Sequence, residues 1–252
     1  MSTEDMRVAL CALNKLYGYH PRPMLDALDS YIARLEPSQL EWGQQELKRI
    51  RERGFRFIGI LDEDYPAPLK ECPEPPLGLY LNGPSSPTEI FALRPLVAFV
   101  GTRDLSPYGK VWCRKLVLAL ADAAVQPTIV SGLALGVDGV AHRTALECGL
   151  PTIGVMATGL DSIYPWQHEQ LARSLAETPG CSLLTDYPLG TQPMALNFVR
   201  RNRIIAGLVS AVVVVESKSK GGSLMTAKYA VEYNREVWSR CPCASLMAAR
   251  TS

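Results

Sequence analysis

The sequence predicts a doubly wound α/β fold: a mainly parallel sheet covered by helices on both faces, with a small N-terminal helical domain ahead of it. Three observations carry this prediction. Five short apolar runs, Leu96–Val100, Thr128–Val130, Thr152–Met156, Ser182–Thr185 and Ala211–Val215, alternate with stretches of helical periodicity. The runs are apolar nearly throughout instead of alternating with polar residues, as strands buried on both faces must be. Several end in turns of small residues, such as Gly101-Thr102 and Ser131-Gly132, and in sheets of this class ligands bind beyond the carboxyl ends of the strands.

Taken in order, residues 1–53 read as the helical domain. Val8, Leu10, Leu13 and Leu16 recur at helix-like spacing, Leu40, Leu47 and Ile50 do so again within a charged segment, and Gly54 ends the pattern. Residues 54–93 change style, with short strands at Arg56–Leu61 and Leu77–Leu81, a Tyr65-Pro66 turn, the proline cluster Cys72–Pro76 and a linker at Gly83–Pro87. Residues 94–237 form the main, Rossmann-like domain, with helices predicted at Tyr108–Ala123, Gly136–Cys148, Gln167–Ala176, Phe198–Ala206 and Ser223–Tyr233. Residues 238–252 form an atypical tail without the periodicity of a strand or long helix. Its Cys241-Pro-Cys243 pair lacks the further ligands of a metal or redox motif.

Composition excludes several classes. A chain of 252 residues with 47% hydrophobic content can bury one sizeable core. A net charge of +1 gives no global attraction to nucleic acid or membrane, so a nucleic-acid reading needs a local basic patch. The seven cysteines form no paired framework, and Cys11, Cys113 and Cys148 fall in apolar helical contexts, which implies reduced, buried thiols and a cytoplasmic location. The opening Met-Ser-Thr-Glu-Asp has no secretory character, and no apolar run approaches the roughly 18 residues of a membrane span.

The chemistry concentrates at the strand ends. Gly101, Thr102 and Arg103 form a corner in which backbone N–H groups and a guanidinium fork suit a phosphate, and Ser131 and Gly132 repeat the design beside it. A dinucleotide fingerprint would need G-x-G-x-x-G here and an acidic residue about twenty positions on. The sequence has neither in usable form, so no nicotinamide, flavin or other cofactor is expected, and no metal. Asp138 and His142 lie four residues apart on one predicted helix face, but with no nucleophile near them a helix-capping carboxylate and a partly buried histidine is the better reading. Tyr164 and Trp166 offer either stacking faces for bases or packing surfaces. Arg200, Arg201, Asn202 and Arg203 are the strongest basic cluster. At helical spacing Arg200 and Arg203 share a face while Arg201 points elsewhere. Lys218 and Lys220 form a basic loop ahead of Gly222 and Ser223, the latter a candidate N-cap.

In this order, Gly-Thr-Arg, Ser-Gly-Leu-Ala-Leu-Gly-Val-Asp-Gly-Val-Ala-His, Thr-Gly-Leu-Asp-Ser-Ile-Tyr-Pro, Arg-Asn-Arg-Ile-Ile-Ala-Gly-Leu and Glu-Ser-Lys with Gly-Gly-Ser-Leu-Met-Thr-Ala resemble the bacterial DNA-processing protein A family, also called DprA or Smf, from about Phe55 to Val237. The resemblance implies a non-enzymatic protein of natural transformation that binds and protects incoming single-stranded DNA, helps load the RecA recombinase and forms a homodimer. By motif match it gives Arg103 a DNA phosphate, with Gly101, Thr102, Ser131 and Gly132 shaping the pocket and Arg200 to Arg203 nearby. The chain departs from the family at Leu135, where members often carry a basic residue, at Trp166, where some do, and after Val237, where a truncation or shifted frame would explain the tail. The altered tail counts against the homodimer. The competing class is an enzyme on a small nucleotide, similar to the lysine-decarboxylase-like nucleotide hydrolases. Their Pro-Gly-Gly-x-Gly-Thr-x-x-Glu loop ends in a carboxylate, whereas the loop here runs from Lys220 to Lys228.

Overall fold

A computed structural model of the chain describes residues 2–18, 25–219 and 221–239, so Lys220 and the Cys241–Cys243 pair lie outside the described residues. Eight strands make one sheet: β1 (Arg56–Gly59), β2 (Gly78–Asn82), β3 (Leu96–Val100), β4 (Thr128–Ser131), β5 (Thr152–Val155), β6 (Ser182–Thr185), β7 (Ala211–Val214) and β8 (Glu236–Ser239). Their spatial order is β1-β2-β6-β5-β4-β3-β7-β8. From β6 to β8 all neighbours are parallel, whereas β2 pairs antiparallel with β6 and β1 antiparallel with β2. The five predicted core strands are present within a residue or so of their expected ends, and the short strands of residues 54–93 extend the same sheet.

The last strand differs from the sequence reading. Trp238 and Ser239, assigned to a tail without strand periodicity, complete β8, which runs parallel to β7 with Val213 opposite Trp238. Glu236, Trp238 and Ser239 are all exposed. A strand at the sheet edge buries too little to carry an apolar run, and the periodicity that marks its neighbours is missing.

Each face of the sheet has its own core. Helices Pro107–Ala121 and Val137–Glu147 pack Cys113, Val117, Val137 and Ala141 against Phe99 and Ile129. On the opposite face, helix Ala195–Leu208 contributes Ile204, Ile205 and Leu208 to a larger core that takes in Ala98, Val130 and Val212. Leu10, Leu13, Leu47 and Ile50 from the N-terminal helices Thr3–Tyr17 and Pro37–Glu52 belong to that same core. The first helix starts from a reciprocal cap, in which Asp5 N–H donates to Ser2 Oγ (3.1 Å) and Ser2 N–H to Asp5 Oδ2 (3.0 Å). Polar bolts fix the helical segment to the loop after β6: Asn14 Nδ2 donates to the Asp186 carbonyl (2.7 Å) and Leu189 N–H to the buried Glu46 carboxylate (2.7 Å).

The described thiols of Cys11, Cys72, Cys113, Cys148 and Cys181 are free. Burial pushes Cys11 and Cys113 up to about 12, so both stay protonated and inert at neutral pH.

His142 is wholly buried, not partly, with Nδ1 2.7 Å from Thr152 Oγ1. Burial, aided by the positive neighbours His168, Arg143 and Arg201, lowers its pKa from 6.5 to about 3. The unfolded chain therefore takes up a proton below pH 6.5 that the folded chain refuses until about pH 3. Stability from this residue is complete above 6.5 and drains away as pH falls through that window, by about 1.4 kcal/mol per pH unit. Urea titrations between pH 5 and 6.5 should show His142→Gln flattening the dependence by nearly that amount. An unaltered slope would contradict the assignment.

Candidate functional site

The chain steps outward from β3 through β4 and β5 to β6, then returns to lay β7 on the other side of β3. At this reversal the loops leaving β3 and β7 diverge, and an open cleft of about 610 Å³ lies between them. Its lining includes Gly101, Thr102, Arg103, Asp104, Asp138, Tyr164, Phe198, Arg201, Asn202, Lys218, Gly222 and Ser223.

The corner after β3 is locked from two sides. Thr102 N–H donates to the Glu216 carbonyl (2.7 Å) in the loop after β7, and the Thr102 carbonyl accepts from Val137 N–H (3.2 Å) at the start of the helix after β4. A side chain on Gly101 would strike Val137 and, at 2.7 Å, the Glu216 carbonyl. Gly136 sits at φ +78°, and its missing Cβ makes room for the Thr102–Arg103 backbone. Arg103 is exposed at the cleft edge, its guanidinium 5.0 Å from the centre of the Phe198 ring. Phe198 in turn leans on Tyr164, with ring centres 5.3 Å apart. The sequence reading missed Phe198. Its only signal was an aromatic residue opening the arginine run, a position equally suited to core packing.

The corner after β4 is occupied by the protein itself. Asp138 Oδ2 accepts from the N–H groups of Gly132 and Ala134, both at 3.2 Å. Burial raises the Asp138 pKa, against the pull of the Arg201 charge and these hydrogen bonds. Ser131 is fully buried and gives its hydroxyl to the Phe99 carbonyl (2.6 Å). Gly132 presses on Arg201, whose Nη1 donates to the Gly132 carbonyl (2.5 Å) and to that of Val155. Asp138 and His142 thus turn to different partners.

The basic cluster splits in three directions. Arg201 is 4% exposed and forms the cleft floor, where burial brings its pKa down to about 10 despite Asp138. Asn202 lines the cleft and donates to the Gly222 carbonyl (3.2 Å). Arg203 faces the N-terminal helices, donating through Nη2 to the Gly18 carbonyl (2.9 Å) and the Asp186 carboxylate (2.8 Å). Arg200 is half-buried and lies outside the cleft lining. The helix carrying them is packed on several sides, so neighbours 100° apart around its axis meet different elements.

The third corner follows β7. Gly221, not Ser223, caps helix Gly222–Glu232, and Ser223 Oγ donates to Ser217 Oγ (2.8 Å). This N-terminus lines the cleft, and its first-turn N–H groups lack the usual helical acceptors. Lys218 stands beside it with Nζ 3.3 Å from Asp104 Oδ2, both side chains exposed. Tyr164 also lines the cleft, whereas Trp166, 75% exposed, lies outside the lining. The structure therefore brings together Gly101, Thr102, Arg103, Arg201, Asn202, Lys218, Gly222, Ser223 and Tyr164. It places Ser131, Gly132, Arg200, Arg203 and Trp166 outside the cleft lining.

Comparison with known proteins gives consistent matches. The profile of the family described as DNA recombination-mediator protein A matches residues 56–248. Protein Smf of Synechocystis is 44% identical over 228 residues, which cover 90% of this chain and 54% of that protein. Protein Smf of Escherichia coli is 44% identical, with 75% and 49% covered. The chain spans about half the length of these curated relatives. The X-ray structure of DNA processing protein A from Streptococcus pneumoniae superposes with a TM-score of 0.77 at 29% identity, covering 95% of this chain and 87% of that one. For DNA processing protein A from Helicobacter pylori, a structure described by its single-stranded DNA binding mode, the TM-score is 0.64 at 29% identity, with 73% and 80% covered.

Proposed function

Because the chain belongs to the DNA recombination-mediator protein A family, we propose that its cleft holds single-stranded DNA by the phosphates. The observation that carries this reading is that the cleft combines cations with aromatic faces. Arg103, Lys218 and the helix N-terminus at Gly222 line it together with Tyr164 and Phe198, and the Arg103 guanidinium lies against the Phe198 ring. A nucleic-acid strand offers a match to both, phosphates for the cations and bases for the rings. The rings can meet a base only if that base is unpaired. Thr102 and Asn202 add polar groups to the lining, and the buried Arg201 adds charge.

The same reading attributes to this chain, on family membership, the protection of incoming strands in natural transformation, the loading of a RecA recombinase and a cytoplasmic location. Among the described residues no helix is long and apolar enough to cross a membrane.

Geometry weighs against the nucleotide-hydrolase alternative. The carboxylates lining the cleft already have partners, Asp104 in Lys218 and Asp138 in two backbone N–H groups. Lys228, at the end of the loop motif, pairs with Glu232 (3.7 Å). The deciding measurement is fluorescence anisotropy with an oligothymidylate and a matched duplex across a salt series. Tighter binding of the single strand, with affinity falling steeply as salt rises, is expected. Equal affinity for both, or release of free base from nucleoside monophosphates, would overturn the reading.

A further inference from the structure

Helix Pro107–Ala121 begins three residues beyond the Asp104 wall of the cleft and carries an exposed face that the proposed site does not use. Tyr108 is 65% exposed, and its ring centre lies 5.9 Å from that of half-buried Trp112. Lys115 Nζ sits 5.3 Å from the centre of the Trp112 ring. Spacings of four and three residues put the three on one stripe, about 10 Å long from Tyr108 to Lys115. The stripe is separate from the apolar side of the helix, where Gly109, Cys113 and Val117 are buried. It is also separate from the flank where Arg114 pairs with Glu147 (2.7 Å).

The helix start is fixed to the cleft. Ser106 caps it by accepting from Gly109 N–H (3.0 Å), and its hydroxyl donates to the Glu216 carboxylate (2.7 Å) in the loop after β7. Among the described residues neither Lys110 nor Lys115 forms an ion pair. Two aromatic rings with Lys115 beside them, on a helix that starts next to a cation-lined cleft, match a polyanion with flat, apolar bases better than they match an acidic or apolar protein surface.

We propose that a single strand leaving the cleft continues along this stripe, stacking bases on Tyr108 and Trp112 and setting a phosphate against Lys115. The inference rests on the cleft binding single-stranded DNA, and oligonucleotide length separates the two claims. Anisotropy titrations would use labelled oligothymidylates of about 5 and about 20 nucleotides, the shorter filling the cleft alone. Combined Tyr108→Ala and Trp112→Ala substitution should weaken the longer strand about tenfold and leave the shorter within about twofold. Lys115→Glu, on an exposed side chain that cannot disturb the core, should weaken only the longer strand, about threefold or more at low salt. Equal losses at both lengths, or no loss at either, would overturn the proposal. Failure of the cleft reading looks different: Arg103→Glu would then leave the short strand unaffected, whatever the rings do.

Discussion

Replacing Arg103 by glutamate is expected to cost at least tenfold in affinity for single-stranded DNA at about 0.1 M salt while leaving the protein as stable as before. The two halves of this result come from the same geometry. Arg103 is exposed at the cleft edge, where its guanidinium lies against the face of Phe198, an interaction worth about 0.5 to 1 kcal/mol at such sites. The guanidinium is therefore available to a phosphate, and the reversed charge repels the backbone it is proposed to hold. Each phosphate contact with a single strand contributes about 0.7 to the dependence of log affinity on log salt, so the variant's slope should be shallower by about that amount. Arg103→Lys should fall between the two, since it keeps the charge but loses the planar fork and the stacking on Phe198. Unchanged binding of Arg103→Glu at low salt would remove this corner from the site.

Arg203→Met should have the opposite profile, a large loss of stability with little effect on binding. Arg203 and Asp186 have side chains only 2% and 3% exposed, 2.8 Å apart. Burial works against the charge on Arg203, but the Asp186 carboxylate outweighs it and holds the guanidinium above its usual pKa. Removing the arginine strands a buried carboxylate and takes the donor from the Gly18 carbonyl, a loss of about 3 to 5 kcal/mol. For a chain of this size the melting temperature should drop by roughly 6 to 20 °C. Adding Asp186→Leu to Arg203→Met should recover part of the loss, because the uncompensated charge goes with it. The folded fraction should bind oligothymidylate within about twofold of the parent, since Arg203 does not line the cleft. A stable variant that had lost binding would show that Arg203 serves the ligand.

These two arginines mark how far the sequence could be read. Arg103 follows a strand and Arg203 stands in the basic run Arg200–Arg203, yet nothing in composition or spacing distinguishes an arginine that faces solvent from one that pairs with Asp186, which precedes it by 17 residues, or Gly18, by 185. The parallel core strands were legible because burial on both faces forces a continuous apolar run. β8 was not, because at the edge it needs no such run. The β3 corner was legible from Gly101 to Arg103, since a glycine followed by a cation at a strand end has few other uses. Its twin after β4 reads the same way, yet it is filled by Asp138, a carboxylate six residues on from Gly132 that folds back onto its amides. Phe198 and the Tyr108–Trp112 pair gave no separate signal, because an aromatic residue near a helix start is as easily core as surface.

Thr102 joins three loops through its backbone alone, by its N–H to the segment after β7 and by its carbonyl to the helix after β4. The Thr102 corner is thereby ordered when the chain folds and has little freedom to give up when a ligand arrives. Encounter with a strand then needs no rearrangement at this corner, and charge and diffusion set its rate. Differences in affinity among strands or variants should accordingly fall in how long the complex lasts, not in how fast it forms.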